Sequence, residues 1–171
     1  DPLYLHALRN RFLRTPNVTV RKLDPEDQAD YQEAGGPFET VLCVNVLEYS
    51  DPGLVLSGAW SVLADGGSLI VLVPQSPWLF GSLDRVLGHR RRFSLAQITT
   101  LLKENGFSVQ RSYQLNKVGM PAWWIFSKVL GRRHINKVFL KIFDKTVWLW
   151  RRIDGLLPWK GLSVVIIAQK S

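Results

Sequence analysis

Val41-Leu42-Cys43-Val44-Asn45-Val46-Leu47-Glu48-Tyr49 decides how the chain is read. From Thr40 to Leu47 it is a nearly continuous apolar run rich in valine, the pattern of a strand buried on both faces. A helix follows at about 52–64, with Val55, Leu56, Ala59, Trp60 and Leu63 on one face and Asp65-Gly66-Gly67 as its stop signal. Leu69 to Val73 is a second buried strand, ended by Pro74. Strand, helix and strand with short connections make a βαβ unit, which implies a parallel pair.

Working outward, residues 2–14 carry Tyr4, Leu5, Leu8 and Phe12 at helical spacing and predict an amphipathic helix. Val18, Val20 and Leu23 suggest a short strand closed by Asp24-Pro25, and residues 25–37, with Gly35-Gly36-Pro37, have loop composition. Ser94 caps a helix whose face is Leu95, Ile98, Leu101 and Leu102 and which stops at Gly106. Phe107 to Tyr113 alternates as a more exposed strand, and Leu162 to Ala168 is a last buried one. Between them, residues 114–161 form an insertion in which Ile135, Val138, Phe139, Ile142, Phe143, Thr146 and Trp150 keep helical spacing.

Composition bounds the possibilities. The chain has 171 residues, 46% hydrophobic and 21% charged, enough for one domain with a real core. One cysteine, Cys43, excludes an intramolecular disulfide framework. With only His6, His89 and His134 beside it, a structural zinc site is not expected. The net charge of +8 favours anionic partners. No uncharged apolar run reaches the roughly 18–20 residues that span a bilayer. Asp1-Pro2-Leu3-Tyr4 shows no basic segment leading into an apolar one, so a cytoplasmic protein is the expectation. The sequence opens mid-domain, straight into a helix, which suggests residues upstream.

The quoted run resembles the fourth strand of class I S-adenosylmethionine-dependent methyltransferases, in the branch whose motif reads N-V-L-E-H. Leu63-Ala64-Asp65-Gly66-Gly67 resembles that family's L-x-P-G-G turn, and Leu69 to Pro74 its fifth strand. Gly81-Ser82-Leu83-Asp84 and Gly88-His89-Arg90-Arg91-Arg92-Phe93 resemble the D…GHxRR(Y/F) stretch of one subgroup. Asn105-Gly106-Phe107 resembles the A-G-F step into the sixth strand. The resemblance covers essentially the whole chain. It implies a Rossmann-like α/β domain over 1–171, mostly parallel with an antiparallel last strand, and 114–161 as a helical lid. Two departures stand out. The glycine-rich cofactor loop is absent, so the first strands are expected to be missing from a domain of roughly 220–250 residues, of which this is the C-terminal three quarters. Tyr49 replaces the histidine of N-V-L-E-H.

The resemblance implies S-adenosylmethionine as cofactor. Asn45, Val46 and Leu47 would sit beside it, because ligands bind outside the carboxyl ends of strands where the strand order switches. Asp24 would accept from the adenine amino group, with Pro25 against the ring; otherwise they are an ordinary turn. Asp1 falls near the family's ribose-binding carboxylate, or is a helix N-cap.

Methyl transfer from a sulfonium needs mainly positioning and desolvation, with a base only for a hydroxyl or protonated amine acceptor. His89 is the candidate base, with Glu48 and Asp84 as alternatives or orienters; structural hydrogen bonds are the other reading. Arg91 and Arg92, in the densest charge cluster, could clamp an oxyanion of the acceptor, or lie on a solvated turn with one arginine paired to Asp84. Tyr49, Trp123 and Trp124 complete the candidate acceptor site. Five of the seven tryptophans fall in 114–161. That segment is a lid core, or a surface lying on an anionic membrane.

The acceptor is then a small molecule or a lipid- or sugar-linked one. Nucleic acid is disfavoured, because no nucleic-acid motif is present. The alternatives are a catalytically inactive interaction module of the same fold, a membrane-surface binding protein and, more remotely, a dehydrogenase.

Overall fold

The computed structural model describes residues 2–134, 141 and 143–171. Asp1, together with Ile135, Lys137, Val138, Phe139 and Ile142 of the insertion, lies outside the described residues.

The apolar runs form one four-stranded sheet. β1 (Phe38–Val44) pairs in parallel with β2 (Leu63–Pro74), in the register Val41↔Leu69 and Val44↔Leu72. β3 (Phe107–Leu115) and β2 each pair antiparallel with β4 (Ser163–Lys170), giving the order β1-β2-β4-β3. β1, β2 and β3 therefore run one way and only β4 is reversed, as expected. Their carboxyl ends share one rim of the sheet.

One face of the sheet holds the core. Leu69, Val71 and Val73 of β2 and Val164, Ile166 and Ala168 of β4 are fully buried on it. α3 (Pro52–Val62) brings Val55, Leu56 and Ala59 to that face, and α5 (Leu95–Glu104) brings Ile98 and Leu102. Each of the Val, Leu and Ile side chains among them contributes roughly 1.5–3 kcal/mol. Both helices start as the sequence predicts. Asp51 accepts from Gly53 N (2.9 Å) and Leu54 N (3.2 Å), and Ser94 and Gln97 form a reciprocal capping box.

The opposite face departs from the expectation of strands buried on both sides. Leu42 is 66% exposed and Val44 50%. Ile70, Leu72, Val165 and Ile167 beside them are only partly covered. Over β1 and β2 no described helix packs on this face, so an apolar surface suited to burial stays open there among the described residues. β1 is also the sheet edge, with an unpaired strand side.

Other differences have local causes. The expected strand at Val18–Leu23 is irregular, because no described strand lies beside it to complete a ladder. The segment 25–37 is not all loop. α2 (Gln28–Ala34) forms on an Asp27 N-cap and is pinned by Tyr31, whose ring lies so close to Gly58 of α3 that a Cβ there would clash. One buried residue in a seven-residue helix leaves no periodicity to read. Asp65-Gly66-Gly67 does not end the preceding helix. α3 stops at Val62, β2 begins at Leu63, and the glycines form an irregularity in the ladder with Gly66 at φ 72°. α1 (Pro2–Phe12) forms as expected, yet Tyr4 and Leu8 on its apolar face are exposed.

The insertion holds α6 (Gly119–Trp123), running on into a single π-helical turn at Trp124–Val129, and a later helix, Val147–Asp154. Before it, α4 (Ser82–Leu87) follows β2 through a 3-10 turn at Pro77–Leu79. In chain order the Val147–Asp154 helix is α7.

Candidate active site

The rim at the carboxyl ends of β1 and β2 gathers most of the residues singled out in the sequence. β1 ends where Asn45 takes a left-handed conformation (φ 52°), after its N–H has donated to Leu72 O (3.0 Å). The chain then curls into a turn. Val46 O accepts from Tyr49 N and from Ser50 Oγ, both at 3.0 Å. Asn45 stays exposed and Val46 partly so, while Leu47 is fully buried in the core. Leu47, its backbone included, has no solvent contact and backs the rim from the core.

The 24–28 loop is tied to this rim. Asp24 Oδ1 accepts from Glu26 N (3.0 Å), and Asp24 N donates to Asp30 Oδ2 (2.6 Å). Glu26 Oε1 accepts from Asp51 N (2.9 Å) and pairs with Arg90 (3.7 Å). Pro25 O accepts from Tyr31 Oη (3.2 Å). Asp24 is exposed and Pro25 half-buried. The turn reading of Asp24-Pro25 is thus realised, and an outward carboxylate remains beside the end of β1.

On the other side stands Asp84, fully buried in α4 and the hub of the region. Its Oδ1 accepts from Arg92 Nε (2.7 Å) and bonds His89 Nδ1 (2.9 Å). Its Oδ2 accepts from Gly81 N (2.9 Å) and Trp123 Nε1 (3.3 Å). Burial pushes this carboxyl up, but His89, Arg92 and the Gly81 amide pull harder and hold it below the usual carboxylate range. An ionised Asp84 favours a proton on His89 Nδ1, and in the neutral ring Nε2 is then the acceptor lone pair. Tyr49 meets the His89 ring edge-on at 5.1 Å between centroids.

Arg92 is buried too. Beyond Asp84 it donates to Gln75 O (3.0 Å), and its guanidinium lies 4.9 Å from the Trp123 ring centre. Burial lowers its pKa and the Asp84 carboxylate raises it. This arginine is committed to the protein interior. Of the expected clamp, Arg91 is exposed and Arg90 holds Glu26. Trp123 is drawn to Asp84, whereas the adjacent Trp124 is exposed on the π-helical turn.

Glu48 is the unbalanced group. It is fully buried, and neither carboxylate oxygen has a hydrogen-bond partner among the described residues. Burial pushes its pKa up, against its own amide, His89 and Arg92. Its carbonyl accepts from Arg90 N (2.8 Å), which ties the β1 turn to the His89 loop.

Sequence reading missed Gln75, Glu26 and Ser127. Ser127 Oγ accepts from Leu83 N (3.2 Å), and Ser82 Oγ contacts Ser127 O (2.9 Å) and Arg132 O (2.6 Å), so the insertion is clasped onto α4. A serine 44 residues away carries no signal of that contact.

This frame is the α/β methyltransferase-like fold, with the mixed sheet of class I methyltransferases. It is similar to an O-methyltransferase family protein from Burkholderia thailandensis, at 15% identity and a TM-score of 0.57, over 97% of this chain and 40% of that one. It is also similar to a Galdieria sulphuraria structure assigned as a sarcosine dimethylglycine methyltransferase (14%, TM-score 0.59, 100% of this chain and 67% of that one). A third is magnesium protoporphyrin IX methyltransferase from Synechocystis, in a structure with bound S-adenosylhomocysteine (17%, TM-score 0.50, 96% and 57%). The chain thus spans well under two thirds of the first and third of these. No family model and no curated protein sequence matches it.

Proposed function

We propose that the protein is a methyltransferase using S-adenosyl-L-methionine, with a small-molecule or lipid- or sugar-linked acceptor. The observation that carries this reading is the Asp84–His89 pair. An oriented imidazole stands beside Tyr49, in the turn that follows β1, within a sheet of methyltransferase type.

The residues present fit one part of the cofactor. The exposed Asp24 carboxylate, Pro25 and the open Asn45–Val46 step suit a purine with an amino edge, and Leu47 backs them from the core. Asp1 is proposed for the ribose from the resemblance alone. When bound, the cofactor supplies a sulfonium methyl group with a good leaving group. The glycine-rich loop for its methionine part is not in this sequence. The unpaired edge of β1 and the open face beside it are where a further strand and its helices would fit, and we propose that such a segment completes the site.

His89 Nε2 would take the acceptor proton, with Asp84 holding the ring and stabilising the imidazolium that forms. Glu48 is buried behind them and would orient the loop through its carbonyl, which accepts from Arg90 N (2.8 Å). Tyr49 and Arg91 would face the acceptor, while Arg92 and Trp123 hold Asp84 in place and Trp124 stands further out.

The test is transfer of labelled methyl from S-adenosylmethionine into aqueous and lipid fractions of a cell extract. His89→Gln is expected to lower the rate by about 10²–10⁴-fold. An undiminished rate overturns the role of His89. A second reading, an inactive interaction module of this fold, is favoured by Tyr49, which stands where the resembled motif has histidine. It predicts no transfer and no cofactor binding.

A further inference from the structure

The net charge of the chain is confined to one segment. Residues 114–161 contain ten Lys and Arg against two Asp, and the rest of the chain carries twelve cations and twelve anions. The whole excess of +8 therefore sits on the insertion.

Its aromatic residues divide by side. On α7, Val147, Trp150 and Asp154 turn toward β3, lining a cleft of about 540 Å³ with Tyr113 and Leu115. Asp154 Oδ1 accepts from Val118 N (3.0 Å), fixing that side of the helix. The other side carries Trp148, 62% exposed, with Leu149, Arg152 and the preceding Lys145. The Arg152 guanidinium lies over the Trp148 ring at 5.7 Å. Beyond the helix, Leu156 is 81% exposed and Lys160 is exposed, while Trp159 donates from Nε1 to Lys117 O (2.7 Å) and leaves only part of its ring open. An indole and leucines ringed by cations, on a helix anchored by its opposite side, match the headgroup–acyl boundary of a bilayer. No helix among the described residues is long and apolar enough to cross a membrane.

We propose that the outward side of α7 and the 155–160 segment dock on an anionic lipid surface. The basic side chains meet the headgroups while Trp148 and Leu156 enter the boundary. Exposed aliphatic side chains among the cations favour lipid over nucleic acid, which would reward stacking platforms instead. The insertion also touches the candidate site, through Trp123 on Asp84 and Ser127 on Leu83. A docked protein would therefore present that site to a membrane-borne acceptor. This consequence rests on the proposed methyltransferase function; the docking does not.

Co-sedimentation tests the docking alone, with vesicles of phosphatidylcholine and of phosphatidylcholine mixed with phosphatidylglycerol. The protein is expected to pellet with the mixed vesicles only, and to be released by salt. Lys145→Glu with Arg152→Glu should weaken binding about tenfold or more. Trp148→Ala should weaken it several-fold at roughly unchanged Tm. Equal binding to pure phosphatidylcholine, or retained binding in the double variant, overturns the proposal. So does a Trp148→Ala protein that binds as before while single-stranded polynucleotide displaces the vesicles. Should the double variant fail to fold, brominated phosphatidylcholine in the mixed vesicles decides the matter with the unaltered protein. Quenched tryptophan emission supports docking, and unquenched emission contradicts it. Docking without methyl transfer would leave this proposal standing and remove only the enzymatic reading.

Discussion

Asp84 and Arg92 form an ion pair of 2.7 Å with both side chains essentially without solvent contact. Neither charge can be screened by water, so each depends on the other and on the partners that surround them. A buried pair broken on one side leaves an uncompensated charge. Asp84→Asn is therefore expected to destabilise the protein by about 3–5 kcal/mol, measured by urea unfolding. The pH dependence has a definite sign. The folded-state pKa of Asp84 lies below its usual value, so its contribution is fully present above about pH 4. It is lost as pH falls through the lowered folded value. The Asp84→Asn protein should lack this part of the acid-induced loss of stability.

Glu48 has the opposite sign. Burial raises its pKa in the folded state, so stability from this group is complete below its unfolded value near pH 4.3 and is lost as pH rises through the folded value. Glu48→Gln removes the titration. The variant should gain stability relative to the unaltered protein as pH rises from acid toward neutral, levelling off above the folded pKa. Thermal melts across that range check it. A constant difference at all pH values contradicts the assignment.

The insertion is held by a contact that admits no extra atom. A Cβ on Gly81 would clash with Ser127 Oγ, and Gly81 has ordinary extended φ, so the effect of Gly81→Ala is purely steric. The substitution should cost about 1–3 kcal/mol and loosen the π-helical turn at Trp124–Val129 from α4. Protease cleavage within 114–161 should then accelerate more than global unfolding does. Ser127→Gly added to Gly81→Ala should restore much of the loss by removing the clashing hydroxyl.

Cys43 is the single cysteine and lies in the core. Burial, with the Glu48 charge adding to it, pushes its thiol up to about 12. At pH 8 it is a protonated, covered group. Its reaction with a disulfide reagent should run on the order of a thousandfold slower than in denaturant, gated by opening of the sheet.

What the sequence disclosed follows from how far each interaction reaches along the chain. β1, α3 and β2 were legible because valine runs and helical spacing of apolar residues are local signals. Asp84, His89 and Arg92 fall within one short stretch, so their pairing was anticipated as an alternative to an anion clamp. The partners that complete the hub, Trp123 and Ser127, arrive from a distant helix whose docking no local pattern encodes. The short strand at Val18–Leu23 failed because a strand exists only with a neighbour. The two-sided burial expected of β1 failed for a related reason. Leu42 and Val44 have the composition of a covered face, but no described element covers them.

The central claim is that the carboxyl rim of β1 is one half of an S-adenosylmethionine site. Calorimetric titration of S-adenosylhomocysteine tests it, comparing the 171-residue chain with one extended by the segment proposed to complete the site. Micromolar binding is expected of the extended chain alone. That binding should fall about tenfold or more on Asn45→Gly, which keeps the left-handed turn and deletes the amide, or on Asp24→Ala. A folded extended chain that binds nothing contradicts the claim, and so does equal binding by the 171 residues on their own.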